Sequence, residues 1–161
     1  GFFLRTAEID TERLDAGLGE YVRMSYECSN RSVSLLKPRK GQGAKLMNGD
    51  FSRKCSPSEE VLAHYIIKQR LMFQGQRVLE VGAGLGFAGL VCAVCTEALC
   101  VQLTDGDPQV IETLQESISL NVGEFESTLV DAKRVEWTEK TTWPSKTSFD
   151  VAVAADIVYV Q

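Results

Sequence analysis

The order of apolar runs and helix signals predicts an α/β protein built on a doubly wound parallel sheet that is cut short after its fourth strand. Three observations carry this expectation. From residue 57 onward, strand-like and helix-like segments alternate in units of roughly thirty residues, as in a parallel sheet with right-handed crossovers. A buried-strand pattern, Arg77-Val78-Leu79-Glu80-Val81, runs directly into the glycine series Gly82-Ala83-Gly84-Leu85-Gly86. The next strand pattern ends at Asp105, 23 residues beyond Gly82. Composition agrees, because 161 residues with 44% hydrophobic and 24% charged side chains exclude a disordered tail, a collagen-like repeat and a coiled coil.

The elements follow in order. Residues 1–50 form an N-terminal extension near charge balance, with 8 basic and 7 acidic side chains. Tyr21–Ser25 and Ser32–Leu36 alternate apolar and polar residues weakly and are expected as short strands. The stretch KPRKGQGAK, 37–45, lacks the spacing of a phosphate loop and is expected to be a solvated loop. Residues 51–161 carry 9 basic and 15 acidic side chains and form the first half of the parallel-sheet domain. Ser56-Pro57-Ser58-Glu59-Glu60 starts a helix with a hydroxyl cap, an early proline and acids at the positive end of the dipole. Val61, Leu62, Tyr65, Ile66 and Leu71 then recur at near-helical spacing and are expected to form its apolar face. After the glycine series, a helix of small and apolar residues is expected from about Phe87 to Thr96. Cys100–Thr104 is the second strand, and Asp107-Pro108 caps a helix with Val110, Ile111, Leu114 and Ile118 on one face. Residues 127–136 hold the third strand and Phe149–Ala155 the fourth.

Charge, cysteines and hydropathy narrow the function classes. A net charge of −5 builds in no pull toward nucleic acid. No apolar stretch approaches the ~20 residues that span a bilayer, and the first ten residues lack a signal-peptide pattern. The chain begins at Gly1, so further sequence is expected before it. Five cysteines at 28, 55, 92, 95 and 100 do not suit a secreted disulfide framework, so the expected location is the cytoplasm, with the nucleus as a second compartment. Cys92 and Cys95 are expected as small apolar residues of a buried helix rather than a zinc site, which would need further ligands at suitable spacing. His64 has no acid or nucleophile near it in sequence and is taken as structural, and Trp137 and Trp143 read first as packing residues.

The glycine series has a physical logic. Glycine permits positive φ in a tight turn and lets a ligand approach the backbone, and the following helix offers N–H groups at its start. An acid at the end of the next strand, here Asp105, sits at the offset from which a carboxylate reaches ribose hydroxyls. A ribose-bearing cofactor is therefore expected. The third glycine comes one residue too early for the dinucleotide fingerprint G-x-G-x-x-G, and Gly89 is a candidate helix-packing glycine. Glu80 completes E-x-G-x-G-x-G, a pattern suited to S-adenosylmethionine, which has an amino-acid end and no pyrophosphate. Glu80 itself has two readings, a contact to the cofactor's amino group or a brace for the loop.

LEVGAGLGFAGL (79–90) resembles the first motif of the seven-strand class I methyltransferases, in particular the family 16 protein-lysine methyltransferases. LTDGD (103–107), VEW (135–137) and FDVAVAADIVY (149–159), the last ending in the D-x-x-Y series Asp156 to Tyr159, strengthen the resemblance. PSEEVLAHY (57–65) is most similar to the branch that acts on calmodulin. The resemblance covers about residues 55–159. It implies a Rossmann-like fold, S-adenosyl-L-methionine as cofactor and a protein lysine as substrate, with calmodulin the first candidate partner. It also implies that Gly82, Ala83, Gly84 and, with them, Gly86 and Glu80 serve the cofactor, its amino-acid end and ribose lying along Gly82–Gly84. Asp105 would accept from the ribose hydroxyls, Trp137 would lie against the adenine, and Ala155 would contact the cofactor through its backbone. Asp156 and Tyr159 would face the substrate lysine as catalytic residues. One departure stands out: the family places Trp before the Pro-Ser of the helix start, where this chain has Ser56.

The implied chemistry is in-line displacement by a neutral lysine amine, with no metal and no covalent intermediate. Asp156 would orient the amine rather than deprotonate it, because a nearby carboxylate favours the cation. The basic stretch 37–45 would steer an acidic substrate. Two alternatives stay open at this level: a methyltransferase of a small molecule or nucleic acid, and a truncated, non-catalytic relative that binds a partner.

Overall fold

In the computed structural model, which describes residues 6–9, 21–28, 30–38, 55–145 and 148–158, the half-polar strands of the N-terminal part and the apolar strands of the remainder form separate sheets. The first sheet is antiparallel: β1 (Thr6–Ile9), β2 (Tyr21–Cys28) and β3 (Arg31–Pro38), in that order. β2 and β3 are longer than their alternation suggested and pair in register from Cys28↔Arg31 to Tyr21↔Pro38. β1 was not foreseen, since four residues (TAEI) carry no readable period.

The second sheet is parallel. It contains β4 (Arg77–Val81), β5 (Cys100–Asp105), β6 (Leu129–Arg134) and β7 (Val151–Ala154), ordered β6-β5-β4-β7. The helices α1 (Pro57–Lys68), α2 (Phe87–Cys95) and α3 (Pro108–Leu120) complete the alternation. The chain steps from β4 outward to β6 and then returns to the other side of β4, so the order reverses beside β4. Such a reversal opens a crevice at the carboxyl ends of the strands. Hydrogen bonds at the opposite end fix β7 in place: Arg77 donates through its side chain to Asp150 at 2.7 and 3.0 Å, and Asp150 N–H donates to the Arg77 carbonyl at 2.9 Å.

α2 is the centre of the core. Every residue from Phe87 to Val94 is buried, because the sheet, α1 and β3 all pack on it. A helix apolar on all sides is stable only in such a place. The hairpin β2–β3 contributes to the same core through Tyr26, Val33 and Leu35, and the Tyr26 ring lies 4.3 Å from that of Phe87. Arg31 donates to the Val94 carbonyl at 2.9 Å, near the end of α2, and pairs with Glu126. The outer edge of β3 meets α3 through side chains. Asn121 accepts from Ser34 N–H at 2.8 Å and donates to the Ser34 carbonyl at 2.7 Å, while Ser117 accepts from Leu36 N–H at 3.1 Å.

The apolar face expected for α1 is rotated. Val61 is 68% exposed, and Tyr65 and Leu71 are exposed as well. Ile66 is buried and Leu62 partly buried as expected, and the stripe is completed by Glu59, Ala63 and Ile67. The reason is electrostatic: Glu59 is drawn inward by unpaired N–H groups at the start of α2. The face of α3 follows its pattern, with Val110, Ile111 and Leu114 buried and Ile118 partly buried. Among the described residues no helix is long and apolar enough to cross a membrane.

Candidate functional site

The crevice beside β4 is built from three chain segments. The first is the glycine loop. Gly82, Gly84 and Gly86 have φ of 65°, 53° and 78°, values open to glycine and costly for most residues. The loop is tied to β5: Ala83 N–H donates to the Thr104 carbonyl at 2.8 Å, and Thr104 Oγ1 donates to the Glu80 carbonyl at 2.6 Å. These bonds explain why the turn follows β4 without slack.

The second segment is the end of β5. Asp105 stands beside the loop, and its two carboxylate oxygens accept from Gly84 N–H at 3.1 Å and Asp107 N–H at 3.0 Å. Burial raises its pKa above the ordinary carboxylate value, and the bonds from Asp107 and Gly84 work against that rise. Asp107 has its own task as the cap of α3, accepting from Gln109 N–H at 2.8 Å.

The third segment comes from β6 and β7. Val135 N–H donates to the Asp105 carbonyl at 2.9 Å, which directs the chain back over the loop. Trp137 thereby reaches Gly82: a β-carbon built there would lie 3.5 Å from Trp137 Cζ2 and 2.9 Å from Ile157 Cγ2. Trp137 itself remains 43% exposed. Ala155 and Asp156 follow the end of β7, and Asp156 is exposed with φ of 56°. Left-handed backbone at a non-glycine residue marks a constrained position, and Asp tolerates it better than most.

The expected residues are therefore not equivalent. Gly82 and Gly84 meet Trp137 and Asp105 at the carboxyl ends of β4 and β5, and Ala155 and Asp156 follow the end of the neighbouring β7. Ala83 is buried, 3% exposed, with its N–H committed to Thr104. Gly86 faces the core, where a β-carbon would stand 2.5 Å from Leu114 Cδ2. Glu80 lies beneath α2, 2% exposed, and accepts from Gly89 N–H at 3.1 Å. That geometry is the brace of its two readings. Tyr159 lies outside the described residues, as do residues 39–45 of the basic stretch.

One residue escaped the sequence reading as a site component. Glu59, 7% exposed, accepts from Phe87 N–H at 2.7 Å across 28 positions of sequence. The nearby N–H groups of Ser56 and Ala88 and the Cys55 thiol favour its charged form. Ser56 Oγ accepts from Glu59 N–H at 3.1 Å, the side-chain bond of an N-cap. Ser56, where the resembling family has Trp, is thus the cap of α1. Burial pushes the Glu59 carboxyl up to about 7, and burial followed by the charge of Glu59 pushes Glu80 well above its ordinary range. The Ser-x-x-Glu spacing at 56–59 was the available signal; nothing local said where the carboxylate would go.

The geometry fits a ribose-bearing ligand without phosphate. Asp105 presents a fixed carboxylate for hydroxyl donors, Trp137 offers a flat half-exposed ring, and the loop approaches without side chains. Known proteins bear on the same residues. Residues 45–161 match the family model described as lysine methyltransferase. Over 103 residues the chain is 41% identical to the calmodulin-lysine N-methyltransferase of Arabidopsis thaliana, a match covering 64% of this chain and 34% of that protein. It is 29% identical over 101 residues to protein N-lysine methyltransferase METTL21A of Danio rerio, covering 63% of this chain and 45% of that one. The chain therefore spans less than half the length of these curated relatives. Its fold is similar to that of P. horikoshii TYW2 in complex with MeSAdo, with a TM-score of 0.51 and 21% identity over 81% of this chain and 41% of the other. At that identity the likeness concerns fold alone.

Proposed function

Because the chain belongs to the lysine methyltransferase family, we propose that its crevice binds S-adenosylmethionine and that the protein methylates a lysine amine of a protein substrate, calmodulin being the first candidate. The observation that carries this reading is the meeting of the glycine loop with Asp105 and Trp137 at the point where the strand order reverses. The calmodulin assignment is supported by the 41% identical relative of that name.

When bound, the cofactor supplies an electrophilic methyl carbon on its sulfonium sulfur. The residues of this chain supply position. Asp105 holds the ribose hydroxyls, Trp137 covers the adenine, and the backbone of Gly82, Gly84 and Ala155 lines the path between them. Asp156, projected by its left-handed backbone at the end of β7, orients the incoming amine. The lysine must arrive neutral although its reference pKa is about 10.4. Packing of the substrate against Trp137 and Ile157 would favour the neutral form, and the proton would leave to solvent. Alignment of two bound partners is the main rate factor. Location in the cytoplasm or nucleus is part of the same proposal.

A thermal melt with and without S-adenosylhomocysteine tests the site. At a hundredfold excess over Kd the wild-type midpoint is expected to rise by roughly 5–10 °C, and the rise is expected to be largely lost in Asp105→Ala. A cooperative melt indifferent to the ligand in wild type would sink the proposal.

A further inference from the structure

The start of α2 is where a nucleotide-binding fold of this kind ordinarily offers free N–H groups to an anionic ligand. Here two of the first three are taken by side chains. Phe87 donates to Glu59 at 2.7 Å and Gly89 donates to Glu80 at 3.1 Å, and Leu90 N–H bonds within the helix, to the Gly86 carbonyl at 2.9 Å. Gly86 caps α2 without a side chain, so the nearest local residue provides nothing. The acceptor for the first comes instead from α1, from a carboxyl that is 7% exposed. Its residue is held at the start of α1 by the bond from its N–H to Ser56 Oγ at 3.1 Å.

From this arrangement we infer that Glu59 is a specificity-determining positioning residue, a built-in carboxyl acceptor that occupies the phosphate seat of α2 and confines the glycine loop to cofactors lacking a phosphate. Two consequences support the assignment. A pyrophosphate approaching the loop finds its usual donors taken and a buried carboxyl in its place. A ligand without phosphate makes no demand on those donors. The rotation of α1 that leaves Val61 and Tyr65 exposed is the structural cost of bringing Glu59 there.

The inference rests on the cofactor reading above, and its test separates the two. S-adenosylhomocysteine binding by calorimetric titration, and the thermal midpoint with and without inorganic phosphate, are measured for wild type, Glu59→Gln and Glu59→Ala. Glu59→Gln keeps the shape but loses the carboxyl, and is expected to bind S-adenosylhomocysteine about tenfold more weakly. Glu59→Ala empties the seat, so it is expected to bind more weakly too and to gain a midpoint rise from millimolar phosphate that wild type does not show. Wild-type affinity in both variants, within about twofold, overturns the inference. So does weakened binding with no phosphate response in Glu59→Ala, the behaviour of a simple brace. Should Glu59→Ala not melt cooperatively, Glu59→Ser takes its place, with the same outcomes for ligand binding and for phosphate. A wild type that ignores S-adenosylhomocysteine overturns the cofactor reading instead, while the phosphate arm still reports on the seat.

Discussion

Gly89 shows how little room the loop and its helix leave. A β-carbon there would lie 2.1 Å from Leu103 Cδ2 and 2.4 Å from Glu80 Oε2, and neither neighbour can retreat, since both are buried. Gly89→Ala is therefore expected to destabilise the fold by about 3 kcal/mol, measured by urea unfolding. Ordinary helix propensity would have made the same change favourable, so the sign of the effect discriminates. The need for glycine at 89 was legible as a packing requirement, and the meeting of the glycine loop with Asp105 was legible from their spacing. Glu59 was not legible as part of that site, because its partner Phe87 is distant in sequence and its inward rotation depends on where α2 starts. An acid in the stripe of Ala63, Ile66 and Ile67 looks, without that contact, like an ordinary first-turn acid.

At the scale of elements, the parallel strands were legible because β4 and β5 are apolar runs bounded by turn signals, which is the mark of burial on both sides. The order β6-β5-β4-β7 was not, since pairing between β4 and β7 joins residues about seventy positions apart and no local pattern encodes a partner. The antiparallel hairpin was legible only in part, and its attachment not at all. That attachment turns on Asn121, 1% exposed, whose amide satisfies both backbone groups of Ser34 and the Ser117 carbonyl. Asn121→Ala leaves buried polar groups on β3 without partners and is expected to cost about 2–4 kcal/mol. Hydrogen exchange checks the location of the damage: β2 and β3 should lose protection before β4 and β5 do.

For the molecule as a whole, two opposed titrations shape stability. Glu59, raised to about 7, and Glu80, raised further, bind protons more readily folded than unfolded. Their contribution is therefore complete below the ordinary carboxylate pKa and is lost as pH climbs through the folded value. For Glu59 alone the loss is on the order of 3 kcal/mol between about pH 4.5 and pH 7. Asp150, held at about 2 by the hydrogen bonds from Arg77, acts the other way, and its contribution disappears only as pH falls through that low range. The melting midpoint is expected to be highest in mildly acidic buffer and to decline toward neutrality. Glu59→Gln should flatten that decline, and midpoints recorded across pH 4.5 to 8 would show a slope unchanged from wild type if the assignment of the proton to this pair is wrong.

The loop that returns from β6 also gives the protein a light signal of its own. Trp137 stands half in solvent against Gly82, whereas Trp143 is tethered by its indole N–H to the Glu136 carbonyl at 3.0 Å. These are the two tryptophans of the chain. A ligand that fills the crevice would change the surroundings of the first. Emission from Trp137 in a Trp143→Phe background would then follow that ligand on and off in real time, with no dye, label or coupled enzyme.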